Sequence, residues 1–493
     1  MISQNKLRGA GVAYTKMFDP IIIKEVEIKN RLAMAPMNIY ASSPQGFVTQ
    51  DNVSWYVARA RGGFGLIVME CAITTPYPWS GHVEMGFLKL TDWRYARAFS
   101  ELVEAVHDYG AKVFLQLSPG LGCFGQFDPV SGSSPGAPSP VAHRTDLRKI
   151  CKSFQGYLES ELGRYGKLLN WDLISKTPDF VYSALEGIAL KLSRFFDPFL
   201  VEIWQGPVPR ELSLQEIEEA EDNCARAASM AAHVGFDGIE IHAASGILIN
   251  NFSSPRTNKR TDKYGGSLRN RVRFLSNILR KVRRALGEKV PIGVRLAGSE
   301  GMPGGLTIAD TLRIAEIISG YIDYIHVSDG CFDNLAALLP DLDGTMLSYS
   351  RKLKKATSIP VITPGIHEPD SVEAAILDGS TDMVSFGRQA IADPDWPEKI
   401  RRGRAEDIVR CSRCNHCGLL GSQHRKVTCK LNPTAGYEKY FPEFWPVNSP
   451  LFRKRLQRFM SKKVGIHEFP DELYAVAVKA VRDVEDPSGE WFA

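Results

Sequence analysis

Eight short apolar runs, rich in β-branched residues, recur along this 493-residue chain, each separated from the next by a helical pattern. They are RLAMAP (31–36), GLIVME (65–70), KVFLQL (112–117), DGIEIH (237–242), PIGVRL (291–296), DYIHVS (323–328), PVITP (360–364) and DMVSF (382–386). Continuous apolar runs of this length fit strands covered on both faces, as parallel strands are. Between them, NVSWYVARARGG, YARAFSELVEAVHDYG and SLRNRVRFLSNILRKVRRALG read as helices, and Ser213-Leu-Gln-Glu216 opens another with a capping box. Eight such units predict an α/β protein closed into a (β/α)8 TIM barrel, in preference to an open doubly wound sheet.

A hydrophobic content of 44% with 24% charged residues supplies a sizeable core. Sixty basic against 56 acidic residues give a formal charge of +4, which argues against nucleic acid or a membrane surface as partner. The opening MISQNKLRGAGVAYTKMFDP lacks the apolar run of a secretory signal. No stretch approaches the ~20 apolar residues of a spanning helix, so the expected location is the cytoplasm. Five scattered cysteines (Cys71, Cys123, Cys151, Cys224 and Cys331) suit reduced thiols there.

One connection breaks the rhythm. After KVFLQL the chain detours through residues 118–205 as an insertion within the barrel. Its first part is a Gly/Ser/Pro-rich loop, and its second, roughly 147–205, has helical stretches and ten aromatics from Phe154 to Trp204. Loops after a barrel strand lie on the catalytic rim, so the insertion reads as a lid; a surface ornament and a partner-docking element are the alternatives. Gly120-Leu-Gly122-Cys-Phe-Gly125 matches G-x-G-x-x-G, but the following QFDPVSGSSPGAP supplies no helix N-terminus for a pyrophosphate.

The remaining cysteines form a cluster, Cys411-x2-Cys414-x2-Cys417-x11-Cys429. Four thiolates suit tetrahedral zinc or a [4Fe-4S] cluster; three at close spacing with a distant fourth is the iron–sulfur habit, whereas zinc ribbons tend toward two separated C-x2-C pairs.

The stretch EIHAASGILINNFSSPRTNKRTDKYGGSLRNRVRF (240–274) closely resembles the signature of the Old Yellow Enzyme family of flavin-dependent ene-reductases. It is most similar to the branch containing bacterial 2,4-dienoyl-CoA reductase, trimethylamine dehydrogenase and the bile-acid and steroid reductases of anaerobes. The resemblance starts at FDPIIIKEVEIKNRLAMAPMN (18–38), continues through GGFGLIVMECA, FLQL, GVRL and DMVSFGRQAIADPDW, and extends to about residue 433. It implies an FMN-binding barrel over 18–405. Ala35, Pro36 and Met37 would lie along the isoalloxazine and Cys71 would contact it through its backbone. Gln116 would bond the pyrimidine edge, and Arg295 would place a positive charge near N1 and O2. The phosphate would sit on Gly365, Gly387 and Arg388. His242 matches the histidine that donates to the carbonyl oxygen of an activated alkene. Ser245 stands where the family has His or Asn, and Ile247 replaces a catalytic tyrosine. The branch's histidine after strand six is replaced within SDGCFDN. Cys331, lid residues and solvent are then the candidate proton sources. Loss of polar groups implies a bulky apolar enone such as a steroid, in place of a dienoyl-CoA.

In this branch a cysteine run directly after the barrel, ending in Cys-x-x-Asn-Pro, ligates a [4Fe-4S] cluster, which assigns 406–433 and Cys411, Cys414, Cys417 and Cys429 to that role. The spacing departs by one residue between the second and third cysteines. Longer relatives continue into flavin and nicotinamide domains, whereas residues 434–493 show no glycine fingerprint, only helical stretches such as LFRKRLQRFMSKK and ELYAVAVKAVRDVED, packed on the barrel or a neighbouring subunit. The implied electron donors are a ferredoxin, a separate FAD/NAD subunit, or NAD(P)H acting directly. The implied activity is reduction of an α,β-unsaturated carbonyl. An amine dehydrogenase or demethylase and a non-catalytic electron-transfer subunit are the alternatives.

Overall fold

Eight parallel strands close on themselves in a computed structural model of the chain, which describes residues 14–76, 86–127, 132–144, 206–422 and 424–441. The strands are β1 (Leu32–Met34), β2 (Leu66–Ile73), β3 (Lys112–Ser118), β4 (Gly238–Ala243), β5 (Ile292–Ala297), β6 (Tyr324–Ser328), β7 (Val361–Pro364) and β8 (Met383–Phe386). Each pairs with the next, and closure comes from β8 on β1, with Val384 opposite Leu32 and Phe386 opposite Met34. Every run expected as a strand is one, and the protein is a (β/α)8 barrel. Between the strands run α1 (Gln50–Arg61), α2 (Trp93–His107), α3 (Leu214–His233), α4 (Arg273–Leu286), α5 (Ile308–Ile318), α6 (Leu347–Ala356) and α7 (Pro369–Leu377). The expected capping box opens α3: Ser213 Oγ accepts from the Glu216 amide, and the Glu216 carboxylate accepts from the Ser213 amide at 2.9 Å.

The barrel is filled at its N-terminal end. Phe114, Tyr324, Ala33, Leu66, Val68, Ile362 and Met383 form one buried cluster with Ile23 and Ile28 of an antiparallel hairpin (Ile21–Ile23 with Val26–Ile28). A Cβ at Gly293 would lie 2.0 Å from the Tyr324 ring, so that strand position must stay bare for the ring to fit. Burying each large side chain of this kind contributes roughly 1.5–3 kcal/mol over leaving it exposed. With that end packed shut, the barrel opens at the C-terminal end of the strands.

The β3 connection lies partly within the described residues. Gly122–Phe124 is a single 3-10 turn, and a Cβ at Gly122 would come within 2.0 Å of Asn251 Oδ1 and 2.8 Å of Leu248 Cα. The glycine pattern serves this close packing against helix Leu248–Ser253. The aromatic part of the insertion (147–205) and the helical patterns of the C-terminal tail lie outside the described residues.

After β8 the chain makes two short helices, Arg388–Ala392 and Trp396–Arg401, and then lays the cysteine segment across the barrel mouth. The Asn432 side chain donates to the Ile391 carbonyl at 2.9 Å, and the Val427 amide donates to the Ile39 carbonyl at 3.0 Å. Residues 434–441 are clasped to α1 by an ion pair between Arg59 and Glu438 at 2.5 Å, with both side chains almost fully buried.

Candidate active site

A cavity of about 350 Å³ opens at the C-terminal ends of the strands. Ala35, Pro36 and Met37 line it from β1, Cys71 from β2 and Gln116 from β3. His242 and Ser245 follow from β4, Arg295 from β5, Gly365 after β7, and Gly387 and Arg388 after β8. Of the side chains expected at the barrel site, Cys331 alone is elsewhere.

Local backbone features aim several of these groups. The β2–β3 register shifts between Met69 and Ala72, a bulge that turns Cys71 to the cavity and Glu70 to the core. Ser245 has φ +64 and is followed by Gly246 at +82, a left-handed pair that non-glycine residues rarely enter. The Ser245 backbone bridges that of Cys331, and the Phe332 amide donates to the Ser245 carbonyl at 3.1 Å. Successive side chains along such a bridged stretch point to opposite sides. Phe332 therefore takes the cavity wall, while the Cys331 thiol packs behind it, 3.8 Å from the Glu300 carbonyl and from Asp333. Burial, with Asp333 and Glu300 adding to it, pushes that thiol up to about 12. The Cys331 thiol thus stands behind the cavity wall and does not line the cavity where it was expected.

The polar floor holds two groups that the sequence reading overlooked. Gln116 Nε2 donates to Glu240 Oε1 at 2.7 Å, and Glu240 Oε2 lies 2.9 Å from His326 Nδ1. His326 Nε2 lies 2.8 Å from Ser385 Oγ and 3.4 Å from Arg295 Nη1. Arginine only donates, so Nε2 accepts and the ring proton sits on Nδ1, facing Glu240. Burial opposes ionisation of Glu240, but His326, Arg295 and Gln116 outweigh it and hold the carboxyl below its usual range. Glu240 and His326 are both fully buried. A carboxylate and a histidine inside otherwise apolar strands were the signal available in DGIEIH and DYIHVS.

His242 is kept neutral. Burial first, then the positive charge of Arg295, pushes its pKa down to about 3. The Ala244 amide points at His242 Nδ1 from 3.4 Å, which leaves the ring proton on Nε2. The cavity therefore presents an uncharged N–H donor beside a fixed guanidinium.

At the opposite end of the cavity, Gly365 has φ +81 and no atom within 4 Å of where a Cβ would stand, and a Cβ at Gly387 would meet only Met37 Sδ, at 3.4 Å. Asn38 Oδ1, which also lines the cavity, is buried without a hydrogen-bond partner. Open backbone at two glycines, an orphaned acceptor, Gln116 and Arg295 fit the phosphate and ring of a flavin mononucleotide. Arg388 is divided: its guanidinium donates to Asn415 Oδ1 at 2.6 Å and to the Pro340 carbonyl at 2.5 Å, tying the cavity to the cysteine segment.

Cys417, Gly418, Gly421 and His424 form part of the cavity wall, so the cysteine segment touches the same space. Amides two residues on point at two of the sulfurs: Arg413 N to Cys411 Sγ and Leu431 N to Cys429 Sγ, each at 3.4 Å. Arg413 and Asn415 both take positive φ, folding the backbone around Cys414. Burial and then the neighbouring Cys411, Cys429 and Cys414 push the Cys417 thiol up to about 12, so all four cysteines lie within electrostatic reach. Among the described residues no three His, Cys, Asp or Glu side chains converge on a single metal ion.

The model of the NADH:flavin oxidoreductase / NADH oxidase family matches residues 16–153 and 197–407. The chain belongs to this family. The NADH:flavin oxidoreductase-like relatives include NADH oxidase of Thermoanaerobacter brockii, 35% identical over 87% of this chain and 58% of that protein. Cinnamate reductase of Clostridium sporogenes is 29% identical over 87% of this chain and 59% of its own. The solved structure of 2-naphthoyl-CoA reductase with 2-naphthoyl-CoA aligns with a TM-score of 0.70 at 26% identity, covering 87% of this chain and 58% of that one. The chain thus spans somewhat more than half the length of these relatives. No helix among its described residues is long and apolar enough to cross a membrane.

Proposed function

We propose that the chain is an FMN- and [4Fe-4S]-dependent ene-reductase that reduces the C=C bond of an α,β-unsaturated carbonyl. In this reading residues 18–405 hold the flavin, 118–205 cover it, 406–433 hold the cluster through Cys411, Cys414, Cys417 and Cys429, and 434–493 form the tail. The observation that carries it is His242, a neutral imidazole with its proton on Nε2, in one cavity with Gln116 and Arg295. Bound FMN would supply hydride to the β-carbon. His242 holds the carbonyl oxygen by its N–H and stabilises the negative charge that collects there. With its imidazolium pKa pushed down to about 3 the ring is neutral, and its remaining N–H, a very weak acid, donates this hydrogen bond without giving up its proton. Ser245 Oγ offers a second donor from the same loop. Arg295, braced by His326 and Glu240, keeps a positive charge at the floor where the ring's N1 and O2 would lie. The proton for the α-carbon comes from lid residues or solvent.

The lining contains no Asp or Glu among the described residues, so a cationic amine finds no counter-ion, which favours ene reduction over amine oxidation. The names of the cinnamate and 2-naphthoyl-CoA reductases support the same choice. Electrons would arrive through the cysteine segment from a ferredoxin or a separate FAD/NAD protein, or directly from NAD(P)H. The test is iron and flavin analysis of the purified protein, followed by product analysis after anaerobic incubation of the reduced enzyme with enones, acyl-CoA thioesters and amines. A saturated ketone supports the reading; flavin reduction by the amines alone, or an iron-free protein, overturns its respective half.

A further inference from the structure

We propose that Asn415 is a positioning residue that aims Arg388 at the flavin phosphate, so that the mononucleotide and the cysteine-held cluster strengthen each other's binding. The inference rests on the FMN and [4Fe-4S] reading and adds to it a dependence of one cofactor site on the other.

Arg388 belongs to both sites. It follows Gly387, lines the cavity and is half-buried. Its Nη1 donates to Asn415 Oδ1 at 2.6 Å, and its Nη2 donates to the Pro340 carbonyl at 2.5 Å. Both acceptors are neutral. Burial works against the charge of the guanidinium, and Cys411 and Cys417 do most to support it. A guanidinium carries more N–H donors than these two bonds engage, so an anion in the cavity can take others.

Asn415 holds that aim only while its own loop is folded. It lies between Cys414 and Cys417, is 2% exposed, and has φ +57, a left-handed backbone. Gln389, the residue after Arg388, fastens the same loop. Its Oε1 accepts from the Cys411 amide and its Nε2 donates to the Val409 carbonyl, each at 2.9 Å. On the other side, the Val427 amide donates to the Ile39 carbonyl at 3.0 Å, between Asn38 and Tyr40 of the cavity wall. The flavin cavity and the cysteine loop are therefore one piece of structure.

Ligated thiolates tie this loop together, and without their metal the tie is lost. When the loop opens, Asn415 leaves Arg388, and the phosphate must then order the arginine by itself. Ordering done by the first cofactor is not required again for the second, which is positive coupling. By linkage the effect is reciprocal: bound flavin must retain the cluster by the same factor. The ring keeps its barrel contacts, so flavin still binds a cluster-free protein at saturating concentration.

The experiment measures FMN dissociation constants of the full chain by anaerobic ultrafiltration, with the cluster in place and after its removal by ferricyanide and EDTA. It compares wild type, Asn415→Gly and Asn415→Asp. Glycine tolerates the positive φ, and aspartate keeps an accepting oxygen. Cluster removal should weaken FMN binding about tenfold in wild type and in Asn415→Asp, but by no more than about twofold in Asn415→Gly. With its cluster in place, Asn415→Gly should already bind FMN about tenfold more weakly than wild type. In wild type alone, saturating FMN should reduce the iron lost to a fixed EDTA concentration, a readout that stands even if a variant fails to load iron. The inference is overturned if cluster removal leaves the wild-type constant unchanged, if iron loss is the same with and without FMN, or if the glycine variant keeps the full wild-type ratio. An aspartate variant that behaves like the glycine one overturns it too. A wild-type protein that holds no iron, or no FMN, fails the cofactor reading itself.

Discussion

Gln116 Nε2 donates to Glu240 Oε1 at 2.7 Å, so the side chain proposed to meet a flavin's pyrimidine edge is oriented by a fully buried carboxylate. The same carboxylate engages His326, and through it Arg295. Gln116, Glu240, His326 and Arg295 thus form one four-residue floor built on β3, β4, β6 and β5.

Glu240→Gln removes the negative charge that offsets Arg295. The uncompensated guanidinium then favours the anionic reduced ring. The flavin midpoint potential should rise by about 30 mV or more, equivalent to about 1.4 kcal/mol for two electrons. Sulfite, which adds to oxidised flavin and leaves a negative ring, should bind more tightly. Spectroelectrochemical and sulfite titrations check both signs.

Glu438→Gln should destabilise the fold by about 3–5 kcal/mol, because it leaves Arg59 charged and buried without its partner. Replacing both residues with apolar side chains should cost less than either single change. Thermal unfolding of the three variants measures the difference, with loss of the 434–441 clasp seen as faster amide exchange there.

Acid should weaken the fold through the half-buried histidines of the cavity wall. Burial, and then arginine charges, push both His242 and His367 down to about 3, below their ordinary value of 6.5. A depressed pKa means that the unfolded chain takes up protons before the folded one does. The stability these residues give is therefore present above about pH 6.5 and is lost as pH falls from there toward 3. Denaturant midpoints across pH 4–8 should drop on the acid side, and His367→Gln should flatten that drop.

Cys417→Ser should abolish the iron–sulfur absorbance while leaving flavin bound, because Cys417 is one of four proposed ligands and only one of many cavity side chains. Wild type should carry about four irons per chain. Equal iron in wild type and variant would detach this cysteine from the cluster.

The barrel was legible because strands covered on both faces must be apolar throughout, so each wrote itself as a continuous run. The strand-end residues were expected from the family resemblance rather than from the pattern of the runs. Ala35, Gln116, Arg295 and Gly387 each sit at or just past the end of a run, where a barrel puts its ligands. Cys331 was misplaced for a local reason: sequence does not say which of two adjacent residues faces inward, and the Ser245 bridge chose Phe332. The Glu240–His326 pair was visible as two polar residues inside apolar runs, yet its partnership is non-local, made only when β4 and β6 come together across β5.

The most direct measurement is a single anaerobic turnover: fully reduced enzyme mixed with 4-phenylbut-3-en-2-one, with flavin absorbance followed in wild type and in His242→Ala. The account predicts stoichiometric flavin reoxidation and saturated ketone with wild type, and a rate about 100-fold lower in the variant at unchanged flavin content. Wild-type flavin that stays reduced, or a variant as fast as wild type, would contradict it.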